Sequence, residues 1–518
     1  MTRVSGLAVG IVMAMSLAAV PAAAEAETPT YNAEVGRILL DNCASCHRPN
    51  QVAPMSLLSY RDARPWARAI KAKVVAREMP PWFADPRWGK FSNDTSLSEN
   101  DIATITAWVD GGAPEGAGPA PEAPRFSEAG WSHPDGLDPD YVIEFPFAWE
   151  IDADGETPNF NLFTPLPFDD VMEVSATQVR PGNYAATHHI TTGLVNMPPG
   201  MMLGTGPAWP GGPEVDYVPV PDPDADPDEV AAERKRLAED RPGPDDPDAA
   251  ERARARTGFG PYIPGVGASV VRPGQAREVR GDMFDYIIWN LHYQATGKPE
   301  TARPSIGAWF ANDPGATYER SMTLREYTSE NEQLVAPAPE PRSEDGEDGE
   351  DGEDGEDGED GEDGEEGEEG EDEQQGRTAR FRQAGQGLNP LLDPIPPHDA
   401  NWTVTGIGAF QDDAILQSLF LHMHVRGRDV TYVLTYPDGR EEILLRVPNY
   451  SFDWQFRYEL AEPIHVPAGS TLKAIARYDN SRTNRLNPAP HKEVYWSEQS
   501  WDDMFLITAN YTLEEGND

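Results

Sequence analysis

Apolar residues recur at helical spacing in three early stretches of the chain and alternate with polar ones through most of the sequence beyond Tyr141. Tyr31 to Asn42 carries Val35, Ile38 and Leu39 on one face and predicts a helix. Ser59 to Arg77 predicts a second. A third should run from Ser98 to about Asp110: Ser98-Glu99-Asn100-Asp101 is a capping-box pattern, Ile102, Ile105 and Val109 come next at helical spacing, and Gly111-Gly112 ends it. After a Pro/Gly/Ala stretch, Gly112 to Pro124, the pattern changes to short runs rich in Val, Ile, Thr, Tyr and Phe, broken by Gly, Pro, Asn and Asp. Val171 to Val179, Asp285 to His292, Gln417 to Val425, Thr431 to Tyr436, Leu472 to Tyr478 and Met504 to Tyr511 are examples, and they predict β-sandwiches or jelly rolls rather than βαβ units.

Two segments fall outside this scheme. Pro213 to Arg256 is rich in Pro and Asp and reads as a long insertion loop with at most one surface helix, Glu229 to Glu239. Glu344 to Glu373 is an Asp/Glu/Gly tract that repels itself and cannot bury apolar surface, so it reads as a disordered tether, with calcium binding a less specific alternative. The tract holds 21 acids, which leaves −48 + 21 = −27 for the remainder of the chain. That acidity makes nucleic acid and anionic membranes poor partners.

At the start, Arg3, an apolar run from Leu7 to Val20 and Ala22-Ala23-Ala24 form an export-signal pattern, against the alternative of a retained anchor. No later stretch offers enough uninterrupted apolar residues to span a bilayer, so an exported protein, periplasmic or secreted, is expected. The expected division is a signal peptide over 1–24, a helical unit over 28–116, a linker over 117–140, a first sandwich over 141–325 containing the 213–256 insertion, a disordered acidic linker over 326–385, and a second sandwich over 386–518.

The chain has two cysteines, in Cys43-Ala44-Ser45-Cys46-His47. Covalent haem attachment needs two thiols, one for each vinyl group, and an imidazole on the same turn to ligate iron. A redox dithiol would prefer a βαβ context, and a zinc site lacks a second cysteine pair. With its preceding helix, the motif and the closing helix carrying Trp108, the segment resembles a class I cytochrome c. A methionine thioether is the expected sixth ligand, with Met55 and Met79 in range. Met79-Pro80-Pro81 is favoured, because two prolines hold it rigid and it resembles the methionine-proline ligand loop of cytochromes c.

Five of the other nine histidines fall in strand-like contexts. His188 and His189 are adjacent and cannot both point into a core from a regular strand, but at a turn they can converge on one metal, with His292 as a third imidazole. His422-Met423-His424 places two imidazoles on one strand face, and Met504 could complete that set. Imidazoles suit zinc or copper, whereas a thioether favours copper.

These residues resemble the type II copper monooxygenases, the family of peptidylglycine α-hydroxylating monooxygenase and dopamine β-monooxygenase. His188-His189-Ile190, Leu291-His292-Tyr293, Leu421-His422-Met423-His424 and Asp502-Asp503-Met504 carry the family's ligand pattern in the family's order. The resemblance implies two jelly-roll sandwiches with one copper on each. His188, His189 and His292 would hold the electron-transferring copper, and His422, His424 and Met504 the copper that binds oxygen and hydroxylates substrate. The implied whole is multidomain, a small all-α cytochrome c domain followed by two all-β jelly-roll sandwiches. Phe420 stands where the peptide-amidating members place a carboxylate-binding arginine, and no cysteine remains for the disulfides of the animal enzymes. A small organic substrate, O2 and a periplasmic electron donor are the expected partners, with the fused haem feeding the His188/His189/His292 copper. Asp479 to Pro488 could line the pocket or be a surface loop. The rival readings are a non-catalytic electron carrier or copper-binding protein and a zinc hydrolase, although no carboxylate stands at a ligand-like spacing for the latter.

Overall fold

The computed structural model describes residues 28–127, 129–155, 157–239, 258–312, 317–324, 326–329, 392–497 and 499–514. The export signal expected over 1–24, positions 240–257 of the insertion and the acidic tract at 344–373 lie outside the described residues. The protein is mostly β, with few and short helices.

A π-helical turn, Tyr31–Val35, leads into α1 (Gly36–Asn42). Pro65, which has no N–H to donate, sits in a 3-10 turn between α2 (Tyr60–Ala63) and α3 (Ala67–Val75). The Oγ of Ser98 accepts from Asp101 N–H at 3.1 Å and caps α4 (Glu99–Asp110), as the capping-box pattern predicts. These helices bury Val35, Leu39, Ile70, Ile105 and Trp108 in a cluster of their own.

The first sandwich is built from β1 (Tyr141–Glu144), β2 (Trp149–Ile151), β3 (Phe160–Pro165), β4 (Val171–Arg180), β5 (Thr187–Val195), β6 (Met201–Pro207), β7 (Glu214–Pro221), β8 (Ser269–Val270), β9 (Gln275–Arg280), β10 (Tyr286–Tyr293), β11 (Glu300–Ala302), β12 (Ser305–Phe310) and β13 (Thr317–Tyr318). One sheet runs β1-β12-β4-β9-β13, with β8 also on β4, and faces the sheet β3-β10-β5 across a core that includes Phe145, Leu162, Ile190, Ile287, Trp289 and Ile306. The insertion starts as a strand rather than a loop: β7 pairs with β6 in a separate two-stranded ribbon, where edge prolines cost no ladder bond, and α5 (Pro227–Glu239) comes after it.

The second sandwich takes β14 (Arg320–Thr323), β15 (Glu326–Ser329), β16 (Trp402–Ala409), β17 (Ala414–His422), β18 (Gly427–Thr435), β19 (Glu441–Val447), β20 (Arg457–Val466), β21 (Thr471–Tyr478) and β22 (Leu506–Leu513) into sheets β14-β22-β17-β20 and β15-β16-β21-β18-β19. Buried and partly exposed residues alternate without a break along β21, as a half-buried strand requires. The boundary between the sandwiches differs from the expected one. β14 lies inside the span assigned to the first sandwich, and β15 inside the span assigned to the disordered linker, yet both pair with strands of the second. The crossover falls at Glu319, between β13 and β14.

Glu319 joins the two bodies. It accepts from Arg277 of the first at 2.7 Å and from Asn510 of the second at 2.9 Å, with Arg457 at 3.8 Å. Burial raises its carboxyl, but the two arginines outweigh this and hold it below the usual range. A second tie is the reciprocal pair Asn159 N–H to Gln499 Oε1 at 3.0 Å and Gln499 Nε2 to Asn159 O at 3.1 Å. Among the described residues, no helix is long and apolar enough to cross a membrane. Glu319→Ala would leave Arg277 buried without its carboxylate, so its unfolding free energy, measured by urea titration, should fall by about 3–5 kcal/mol.

Candidate metal centre

Adjacent histidines converge because the strand that carries them is irregular. In the β5–β10 ladder His292 faces His189 and Tyr293 faces Thr187, so His188 is the extra residue of a β-bulge. The bulge, rather than the expected turn, turns His188 to the same side as its neighbour. The ring nitrogens Nδ1 of His188 and His189 lie 3.2 Å apart, and donor atoms of His188, His189 and His292 all fall within 4.8 Å of one another. Two imidazole nitrogens held at ~2.0–2.1 Å on one ion sit roughly 3.3–3.6 Å apart, so this spacing fits a shared cation. His292 is 7% exposed and its Nδ1 has no hydrogen-bond partner, which leaves a lone pair free for the ion.

The second set is made differently from the expected same-face pair. β17 ends at His422, and His424 lies in the turn beyond. Three groups hold that turn. Asp503, fully buried, accepts from the backbone N–H of His424 at 3.0 Å, Met504 at 2.9 Å and Arg426 at 3.3 Å, so one carboxylate grips both the segment of His424 and that of Met504. Tyr450 Oη donates to Met423 O at 2.7 Å and accepts from Met423 N–H at 3.1 Å. Gln455 Oε1 pairs with His422 Nδ1 and leaves the other ring nitrogen for a metal. Asp503 belongs to the Asp502-Asp503-Met504 motif, but the motif alone gives it no role, and nothing in the sequence points to Tyr450, Gln455 or Arg426. Buried polar residues scattered along a β chain have no periodic signature.

The two sets lie side by side. The rings of His189 and His422 are 6.2 Å apart between centroids, His422 and His424 5.1 Å, and His188 and His292 5.0 Å. His188 stacks at 4.4 Å on Phe452 of the opposite sandwich. His189, His422, His424 and Met504 line one 720 Å³ cavity between the bodies, with Asn161, Asn290, Phe420 and Arg457 on its walls. Asp479 to Pro488 does not line it. Asn480 is instead a buried strut that accepts from Arg426 Nε at 3.0 Å and donates to the carbonyls of Pro396 and Lys492.

Burial keeps the imidazoles of His189, His292, His422 and His424 uncharged. It lowers His292 to about 3, with help from His188, and His422 to about 4, against the raising effect of Gln455. His189 and His424 are pushed well below the usual value by burial first and by neighbouring histidines next. Neutral imidazole is the metal-binding form. In the same site burial pushes Asp503 up to about 7, despite the backbone N–H groups it accepts from.

In the N-terminal segment Cys43, Cys46 and His47 share one turn, with Cys46 N–H to Cys43 O at 3.2 Å and His47 N–H to Cys43 O at 2.8 Å. Both thiols are free, and burial, with Cys46 adding to it, pushes Cys43 up to about 12. His47 Nδ1 lies 3.3 Å from Met55 O, the contact that orients a ligating imidazole and leaves its Nε2 open. This donor set fits a covalent haem. Met79 lies beyond α3, its N–H 3.4 Å from Lys73 O, and is partly buried.

No protein-family model matches the chain, and no curated protein sequence matches it. Among solved structures it is similar to a family 35 carbohydrate-binding module from an environmental isolate (11% identity over 25% of this chain and 78% of that one, TM-score 0.14), the major capsid protein P2 of bacteriophage PM2 (7%, 72% and 99%, 0.21) and allantoicase from Saccharomyces cerevisiae (9%, 64% and 80%, 0.15). Scores so low carry no argument about what the site does.

The geometry has two measurable consequences. His292 gains no proton in the folded state until pH falls to about 3, whereas in the unfolded chain it protonates below ~6.5; its contribution to stability is therefore present at neutral pH and is lost as pH falls through that window. The metal-free protein should lose melting temperature between pH 6.5 and 4 with a shallower slope in His292→Leu than in the native chain. Asp503→Ala, which strips the partner from three backbone donors and leaves Arg426 buried, should destabilise the fold by about 3–5 kcal/mol in urea unfolding and weaken metal binding at His422 and His424 more than at His188, His189 and His292.

Proposed function

We propose that the chain is an exported, copper- and O2-dependent monooxygenase that hydroxylates a C–H bond of a small organic substrate and draws its electrons through a covalently attached haem c. The nearness of the His188, His189 and His292 cluster to His422, with His189, His422, His424 and Met504 lining one cavity, carries this reading, because a thioether beside imidazoles selects copper over zinc. It accords with the resemblance to the type II copper monooxygenases. The 28–116 unit is read as a class I cytochrome c domain with Met79 as sixth ligand, and the two sandwiches as jelly rolls bearing one ligand set each.

Copper at the two sets would supply one-electron storage and oxygen activation, and haem at Cys43, Cys46 and His47 a reversible one-electron carrier. The residues of the chain do the rest. Gln455 fixes the tautomer of His422, and Asp503 fixes the spacing of His424 and Met504. The cavity walls hold the substrate against His422 and His424. Phe420 gives that wall an aromatic face where a peptide-amidating member would present a cation, which argues against a glycine-extended peptide. Residues 129–132, anchored to β4 through Ser132 N–H to Gln178 Oε1 at 2.8 Å, keep the Cys46 turn beside its electron acceptor.

Periplasmically expressed protein should carry two copper ions and one haem iron per chain by elemental analysis and show a c-type haem spectrum. Zinc in place of copper would sink the proposal, and oxygen uptake without product in a substrate screen would favour a mere carrier. His422→Ala should lose about one copper per chain and all hydroxylation while keeping its haem absorbance.

A further inference from the structure

Cys46 does not face solvent alone. With Arg48, Tyr184 and Tyr262 it lines a small cavity of 200 Å³ between the helical unit and the first sandwich. Tyr262 is 2% exposed, and its ring meets that of Tyr184 edge-on at 5.6 Å. The backbone of Tyr262 is bonded both ways to Ile190, N–H to O at 2.7 Å and O from N–H at 3.0 Å, and Ile190 is covalently next to His189. The Cys46 turn is held in place by Gln51 Nε2 to Gly130 O at 3.0 Å and by Arg48, buried, on Trp131 O and Ser132 Oγ. A path therefore runs from Cys46 across this small cavity, through an aromatic pair and a hydrogen-bonded bridge, into the strand that carries the first metal set.

We propose that Tyr262, with Tyr184 beside it, is the bridge through which an electron passes from a haem edge attached at Cys46 to a metal ion held by His188, His189 and His292. The inference rests on the functional reading above. In the step one electron leaves ferrous haem iron, which becomes ferric, and reduces a cupric ion to cuprous; no bond forms or breaks and no proton moves. The tyrosines serve as a medium and not as stopping points. Both phenol oxygens are buried without a hydrogen-bond partner, so no base stands ready to take the proton that a neutral tyrosyl radical must shed. Burial first, and Tyr184 next, raise the Tyr262 phenol, which further opposes proton loss.

The test is anaerobic and needs no substrate. The fully oxidised holoprotein receives one electron from a flash-generated reductant, and reoxidation of the haem is followed at its visible absorption band, with copper EPR before the flash reporting the His188/His189/His292 set. Tyr262→Leu should slow haem reoxidation several-fold with the EPR signal unchanged, Tyr184→Leu should slow it less, and Tyr262→Phe should match the native rate because the ring and not the hydroxyl carries the coupling. A native rate in Tyr262→Leu with haem and copper fully loaded overturns the route alone. A slow Tyr262→Phe overturns the role of the ring as medium. A native protein without haem or copper, or with both but no transfer between them, overturns the functional reading and this inference with it.

Discussion

The ring of His188 lies stacked on Phe452 at 4.4 Å, and each belongs to a different sandwich. Such a contact is worth only about 0.5–1.5 kcal/mol beyond the area it covers. Its importance lies in what closure of the two faces does to everything around it. With the bodies pressed together, four imidazoles, those of His189, His292, His422 and His424, are withdrawn from water and held neutral, and the cleft between the sandwiches becomes a cavity with donor atoms on two of its walls. If the faces were parted, His189 and His422 would each be an ordinary histidine at the end of a strand.

Closure carries its own electrostatic difficulty, which the chain meets with shared partners. Glu319 sits at the crossover between the sandwiches and is satisfied from both sides, by Arg277 on one and Asn510 on the other. Asp503 meets the same problem inside the second sandwich, where backbone donors and the buried guanidinium of Arg426 offset burial only in part and its carboxyl stays raised to about 7. In both cases one acid ties together segments far apart in sequence, so the geometry of the site is set by charges the cavity itself does not use.

The elements of the fold were largely legible. Helical spacing and a capping serine placed α4 within a residue, and alternation placed β10 and β21, because period and cap are local signals that tertiary contacts only reinforce. Position in the wider assembly was not. β14 and β15 read as the end of one unit and the start of a linker, since four-residue strands have no pattern of their own and owe their form to β22 and β16. In the site, residue type pointed to the histidines and Met504, but the means of bringing them together stayed hidden: a single bulged residue at His188, a strand ending at His422, and a tyrosine and a glutamine arriving from the loop between β19 and β20.

The helical unit touches both sandwiches at once. Its Gln51 and Arg48 hold the strap at 130–132, which is fixed to β4, while Lys90 and Ser92 bond to the backbone of β20 and Phe91 bridges to Leu460. Three bodies braced pairwise make a triangle, and a triangle has no free hinge. Any motion that widens the cleft between the sandwiches must strain or shed one of the helical unit's two anchorages, so the aperture of the cavity and the seating of the Cys46 turn are mechanically a single variable.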